Sequence, residues 1–324
     1  MIKIVSLVAP EGGGRSKLMN QFFDTLPAGF QEVYNPEEAD IYFAHCNEKT
    51  GDIYLKGFDP NNLRINLNTV HTDSFRTLGR LLDIPGILYF DRLGSPDIRR
   101  DDLNTYPDFV RAIDIPVASV ELPSHGNAFK THFVDERRFY VSHRYKREAK
   151  HLVLPWDQLL ADGIINALTF VLEKGRIDKI IIAGIDAFQQ NLGFTDEIIN
   201  TLKPYQAQIE FERVQWSSGV CNLLNRVGFY LSSQPKNGVE LMGVEAGMCG
   251  AQPIYPDIPY YRDMFEMTDI VFFDIENPTE SLDNILSSGF QWDEEKRGRF
   301  LDRCSGQRNL PAFWEHVRKV ISNK

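Results

Sequence analysis

The chain has 324 residues and a formal net charge of −10, and its 43% hydrophobic and 25% charged residues exclude a disordered, fibrous or generally basic nucleic-acid-coating protein. At this length two domains of ordinary size can each bury a core. No stretch approaches the roughly 18 uninterrupted apolar residues of a membrane span; the opening MIKIVSLVAPEGGG is too short and strand-like for a secretory leader, so the expected location is the cytoplasm.

In chain order, short β-rich apolar runs occur at residues 2–8, 40–45, 63–67, 86–90 and 115–120, with helical stretches between them. A second series lies at 139–142, 179–183, 208–211, 228–231, 253–255 and 269–273. Apolar residues recur at helical spacing in 159–172, 196–202, 218–225, 239–249 and 279–286. Strands that alternate with helices predict an α/β fold with parallel sheets, and two such series predict two Rossmann-like domains. The expected domains are residues 1–136 and 137–307, and in the last segment, 308–324, Phe313, Val317 and Val320 share one side of a helix.

The most informative stretch is residues 237–260, NGVELMGVEAGMCGAQPIYPDIPY. Gly238 lets the backbone approach a ligand, and the helix that follows aims the unpaired amides of Gly238, Val239, Glu240 and Leu241 at an anion. Glu245 lies about two turns into that helix, where its carboxylate can accept hydrogen bonds from vicinal hydroxyls of a ribose. Glu240 falls in the first turn, where an acid suits the helix dipole.

Other motifs carry two readings each. The loop containing Gly12, Gly13 and Gly14 is either a tight connection or a ligand-lining loop; it lacks the full GxGxxG and any GxxxxGK[ST]. Between Glu136 and His151 lie Arg137, Arg138, Arg144, Lys146, Arg147 and Lys150, either a solvated turn or a cluster that neutralises a diphosphate. Asp91, at the end of the 86–90 strand, either caps a turn or acts on a ligand. Cys46, Cys221, Cys249 and Cys304 form no CxxC pair, which favours reduced, buried thiols, and His71, His125 and His143 lack metal-ligand spacing. No metal or cofactor is expected.

The 237–260 segment resembles the donor-binding signature of GT-B glycosyltransferases of the retaining Glu-x7-Glu type. Glu245-Ala246, Gly250 and Pro253 match that signature, and Asn237 stands where the family has its first Glu. The segment from Phe139 to Arg144 resembles the first strand of the family's donor domain, Ile84-Pro85 resembles the opening of its His-tipped strand, with Asp91 in the place of the His, and Arg213-Val214 resembles its nucleobase turn. The resemblance implies two domains facing a cleft, a final helix that crosses back to the first domain, and a nucleoside-diphosphate sugar as co-substrate. It assigns the ribose to Glu245, the diphosphate to Arg144 and Lys150, the base to Val214, and the transferred sugar to Asn237 and Asp91. Gly12 to Gly14 would close the opposite wall.

The passage from Glu245 to Tyr255 and on to Leu286 is also similar to phage DNA α-glucosyltransferases, which adds a hydroxymethylated DNA base to a glycan as possible acceptors. A nucleotide-sugar 2-epimerase and a non-catalytic nucleotide-sugar-binding protein are the other readings.

Overall fold

The computed structural model describes residues 1–6, 22–34, 38–47, 52–55, 63–66, 86–90, 117–119, 128–129, 134–184, 196–214, 216–233 and 241–322. The chain divides into two compact units, Met1–Phe133 with Lys236–Val239 and Gly306–Lys324, and Val134–Pro235 with Glu240–Ser305.

The first unit is built on an eight-stranded sheet. Strands β1 (Ile2–Ser6), β2 (Phe30–Val33), β3 (Ile41–Asn47), β6 (Gly86–Phe90), β7 (Val117–Ser119) and β8 (Ala128–Phe129) run in the order β2-β1-β3-β6-β7-β8, all parallel. The run at 63–67 departs from the parallel expectation. As β5 (Leu63–Asn66) it pairs antiparallel with β4 (Asp52–Leu55), which in turn pairs antiparallel with β3. A four-residue strand read alone carries no information on its partner's direction, since both kinds of ladder present the same alternation.

The second unit holds a six-stranded, all-parallel sheet. Its strands are β9 (Glu148–Pro155), β10 (Lys179–Gly184), β11 (Ile209–Arg213), β12 (Val227–Leu231), β13 (Gln252–Pro256) and β14 (Val271–Phe273), ordered β11-β10-β9-β12-β13-β14. This is the doubly wound order in which the first strand lies centrally and the direction of winding reverses beside it, between β9 and β12. All five residues of β12 and all five of β13 are buried, as strands covered on both faces require. The crossover helices are α1 (Ile164–Glu173), α2 (Asp196–Leu202), α3 (Trp216–Arg226), α4 (Leu241–Cys249), α5 (Pro259–Met264) and α6 (Pro278–Ser287), followed by α7 (Glu294–Cys304). Leu168, Val171 and Leu172 of α1 and Leu282 and Leu286 of α6 pack in one core with Leu152, Leu154, Phe229 and Ile254 of the sheet.

One expectation is corrected here. Residues 139–142 form no strand, and the first strand of this unit is β9, several residues later. Phe139 is buried, but its backbone N–H bonds back to Asp135 O at 3.0 Å, a local turn rather than a ladder. The apolar triplet Phe139-Tyr140-Val141 mimics a strand locally, whereas His151 and Lys179 to Pro155 and Ala183 hold the actual register.

Val134 and Ser305 bridge each other where the second unit begins and ends, with Val134 N–H donating to Cys304 O at 2.9 Å. The final helix, α8 (Gly306–Ser322), belongs to the first unit. Phe313, Trp314 and Val317 are fully buried there, Phe22 and Phe30 place their rings 5.1 Å from Phe313 and 5.2 Å from Trp314, and Arg318 Nη2 donates to Ala28 O at 2.9 Å. No helix among the described residues is long and apolar enough to cross a membrane.

Candidate functional site

In an open parallel sheet the carboxyl ends of the strands flanking the winding reversal splay their following loops apart and leave room for a ligand. In the second unit those ends are Pro155 of β9 and Leu231 of β12. A 3₁₀ turn, Trp156–Leu160, follows the first, and Ser232 and Ser233 follow the second. Ser233 N–H donates to Gln158 Oε1 at 2.6 Å, and Ser233 Oγ–H donates to Gln158 O at 2.5 Å. The two loops are thereby stitched together by buried polar contacts. Beside them Gly184 ends β10, and a Cβ there would lie 2.8 Å from Trp156 Cδ1, so the indole occupies the space that a side chain would fill.

Helix α4 starts at Leu241 on this carboxyl side and descends to Cys249, from which Gly250 at φ 87° turns the chain into β13. Seven of its nine residues are buried, Gly243 to Cys249, because the helix is covered on several sides. Gly243 lies against Tyr255 of β13 and Tyr230 of β12, Gly247 lies against Phe300 of α7, and α3 packs alongside. Glu245 sits on the face opposite those two glycines, by the 100° advance per residue, and is only 4% exposed. It shares that face with Cys249 four residues on, and its negative charge is among the influences that raise the Cys249 thiol, after burial and the bond to Cys221.

The lower, amino-terminal side of the sheet is closed by the half-buried Arg147. Arg147 Nη1 donates to Leu224 O at 3.2 Å and Val227 O at 2.6 Å, and Nη2 donates to Cys249 O at 2.6 Å. One side chain therefore holds the ends of both α3 and α4, where orphan carbonyls and the negative end of each helix dipole favour a cation. Burial is the main influence on Arg147 and draws its pKa downward.

Leu241, Val214 and Glu245 lie on the carboxyl side or on the helix that descends from it. Val214 follows β11 and, like Leu241, is half-buried. Arg144 and Lys150 do not join them. Lys150 is the third residue of β9, at its amino end; its Nζ donates to Gly175 O at 3.1 Å and lies 3.8 Å from Asp178 Oδ1. Arg144 is an exposed residue in the turn that precedes β9. Both belong to the opposite edge of the sheet from Pro155 and Leu231, because the first strand lies at 148–155 and not at 139–142.

Three cations of the 137–150 stretch pair with acids close by in sequence. Arg137 Nε and Nη2 each donate to Asp135 at 2.9 Å, Arg138 Nε lies 3.4 Å from the same carboxylate, and Lys146 Nζ lies 3.3 Å from Glu148. Asp135 is 1% exposed and organises the two arginines at the entrance to the second unit.

Asn237, Asp91, Gly12, Gly13, Gly14, Gly238, Val239 and Glu240 lie outside the described residues, as do His71 and His125. Trp156, Gln158, Ser232 and Ser233 were not legible as site residues. Small polar residues after an apolar run signal a turn, and nothing in one sequence tells which two turns meet across a sheet.

No family model matches the chain, and no curated protein matches its sequence. Among solved structures it is similar to HepE of Anabaena in complex with UDP and glucose, with a TM-score of 0.64 and 10% identity over 98% of this chain and 99% of that one. It is also similar to the sucrose-phosphate synthase of Thermosynechococcus elongatus, at 0.62 and 9% identity over 100% of both chains. A glycosyltransferase of Rickettsia africae matches at 0.60 and 12% identity, over 100% of this chain and 99% of that one. At such identities the likeness carries architecture, and the architecture of this chain is the GT-B fold of two Rossmann-like units.

Proposed function

We propose that the protein is a glycosyltransferase that moves a hexose, with retention and without a metal, from a nucleoside-diphosphate sugar, UDP-linked in the first instance, to an acceptor hydroxyl. The observation that carries the reading is Glu245. A carboxylate only 4% exposed sits on the helix that descends from the carboxyl side of a doubly wound sheet, eight residues after Asn237. Ribose hydroxyls would each donate to one carboxylate oxygen, which fixes the pentose and with it the diphosphate. The solved relatives of the same fold include one whose complex holds UDP and glucose, which supports a donor of this class.

In this reading the departing diphosphate is stabilised by the amides of residues 238–241 and the positive end of α4 rather than by Arg144 and Lys150. Val214 is assigned to the base, and Asn237, Asp91 and the glycines at 12–14 are assigned to the transferred sugar and its phosphate. Asn237 offers hydrogen bonds but no negative charge to an oxocarbenium-like transition state. A glycan acceptor is preferred to a hydroxymethylated DNA base, because Arg137, Arg138, Lys146 and Lys150 are engaged by acids of the same unit.

Calorimetry with UDP and UDP-glucose tests the assignment. Glu245→Ala should weaken binding about tenfold to a hundredfold, equivalent to roughly 1.4–2.8 kcal/mol; unchanged affinity would remove Glu245 from the site. Incubation with radiolabelled donors separates the enzyme classes. Hydrolysis or transfer supports the transferase, an altered sugar configuration means an epimerase, and binding without turnover means a sensor. Strongly salt-dependent binding to hydroxymethylated duplex would restore DNA as the acceptor.

A further inference from the structure

Cys221 of α3 and Cys249 of α4 place their sulfurs 3.7 Å apart, with both side chains buried. Neither thiol has a part in the proposed transfer. Cys221 is 5% exposed and Cys249 fully buried, so the former offers the route by which a small reagent reaches the pair. Asn225, itself 2% exposed, holds the surroundings: its Nδ2 donates to Tyr140 O and Cys221 O at 2.9 Å and lies 3.5 Å from Cys221 Sγ, while Ser142 N–H donates to its Oδ1 at 2.7 Å.

We infer that Cys221 and Cys249 form a covalent modification site, a dithiol that hydrogen peroxide converts to a disulfide tying α3 to α4. Cys221 is the attacking sulfur. The Cys249 S–H bond to it draws its thiol down to about 6 against the upward push of desolvation, whereas burial and the same bond push Cys249 well up. A thiolate is the reactive form of cysteine. The Cys221 thiolate displaces hydroxide from the peroxide O–O bond to give a sulfenic acid. The Cys249 sulfur then attacks that sulfur, forms the S–S bond and expels water. In all, two thiols and one peroxide become one disulfide and two waters, with the sulfurs oxidised and the peroxide reduced.

Bond formation at about 2.05 Å draws the lower end of α4 toward α3. The pull works against the bond from Arg147 to Cys249 O, and Glu245, one turn above Cys249 on the same face, moves with the helix end. The disulfide therefore displaces the carboxylate assigned to the ribose. This regulatory consequence rests on the proposed donor site; the disulfide itself does not.

The experiment treats the full-length protein with hydrogen peroxide, blocks remaining thiols, digests with trypsin and seeks the cross-linked pair of peptides 214–226 and 237–262. The expected result is that pair, abolished by dithiothreitol and absent from Cys249→Ala. Cys304, 1% exposed with its thiol pushed up to about 12 by burial, should be recovered as a thiol. UDP affinity of the same samples should fall about tenfold on oxidation and return on reduction, as expected for a displaced ligand group. Recovery of both cysteines as free thiols or as separate sulfinic acids would overturn the dithiol. A cross-link with unchanged UDP affinity would overturn the coupling to Glu245. Failure of the reduced protein to bind any nucleotide would instead refute the donor reading and leave the cross-link standing.

Discussion

Alanine at Gly243 should destabilise the protein although alanine is the better helix former. In an unobstructed helix interior the exchange stabilises by about 0.8–1.0 kcal/mol. At Gly243 the new Cβ would lie 2.0 Å from Tyr255 Oη, 2.6 Å from its Cζ and 3.0 Å from Tyr230 Cε1. The ring of Tyr255 is fully buried, 4.8 Å from Tyr261 and 4.8 Å from Phe265, and it cannot swing aside without moving both. Overpacking of this kind costs about 1–3 kcal/mol, and so severe an approach belongs at the upper end. Set against the propensity gain, the net loss is about 2 kcal/mol. Gly298 is the internal control, since it lies within α7 and a Cβ there meets nothing within 4 Å. Urea unfolding of Gly243→Ala, Gly298→Ala and the parent should give midpoints that move in opposite directions. Equal or higher stability for Gly243→Ala would refute the claim that α4 is seated by backbone contact with Tyr255. The same substitution should also weaken nucleotide binding, because a helix lifted from β13 carries Glu245 with it.

Arg147→Met should cost about 1–3 kcal/mol, as expected when partly buried carbonyls lose their donor, and Arg147→Lys should not fully restore stability because one ammonium lacks the planar fork; thermal melts check both. His151 has its pKa lowered by burial and by Lys179, so its neutral form is favoured in the folded state. The stability linked to this shift is present above the unfolded value near 6.5 and is lost as pH falls through 6.5 toward the lower folded value; the parent should therefore lose more stability than His151→Gln between pH 8 and pH 5. Gly228→Ala would bring a Cβ to 2.3 Å from Ala149 O, where β12 shifts register against β9, and should give little soluble protein, as scored by expression and circular dichroism. UDP should raise the melting temperature of the parent and leave Glu245→Ala nearly unmoved, as linkage of binding to folding requires.

Periodicity along the chain determined the two α/β series, since strands buried on both faces must read as continuous apolar runs and the helices between them must carry an apolar side. It therefore located β10, β12, β13 and most of the helices, and it singled out Glu245 as an acid inside an otherwise apolar helix. It did not locate β2, β4, β8, α5, α7 or the first strand of the second unit. Phe139-Tyr140-Val141 has the composition of a strand, and only pairing with β10 and β12 shows that Glu148–Pro155 is the central one. That decision is tertiary because hydrogen-bonded neighbours, not local preference, select among competing apolar runs. It also decided the electrostatics: a few residues of displacement along the chain moved Arg144 and Lys150 to the opposite edge of the sheet, and Asp178, the acid beside Lys150, becomes its partner only through folding. The meeting of Cys221 with Cys249 across two helices, and of Gln158 with Ser233 across two loops, has the same origin, for contacts between residues far apart in sequence are specified by packing and leave no mark on either segment alone.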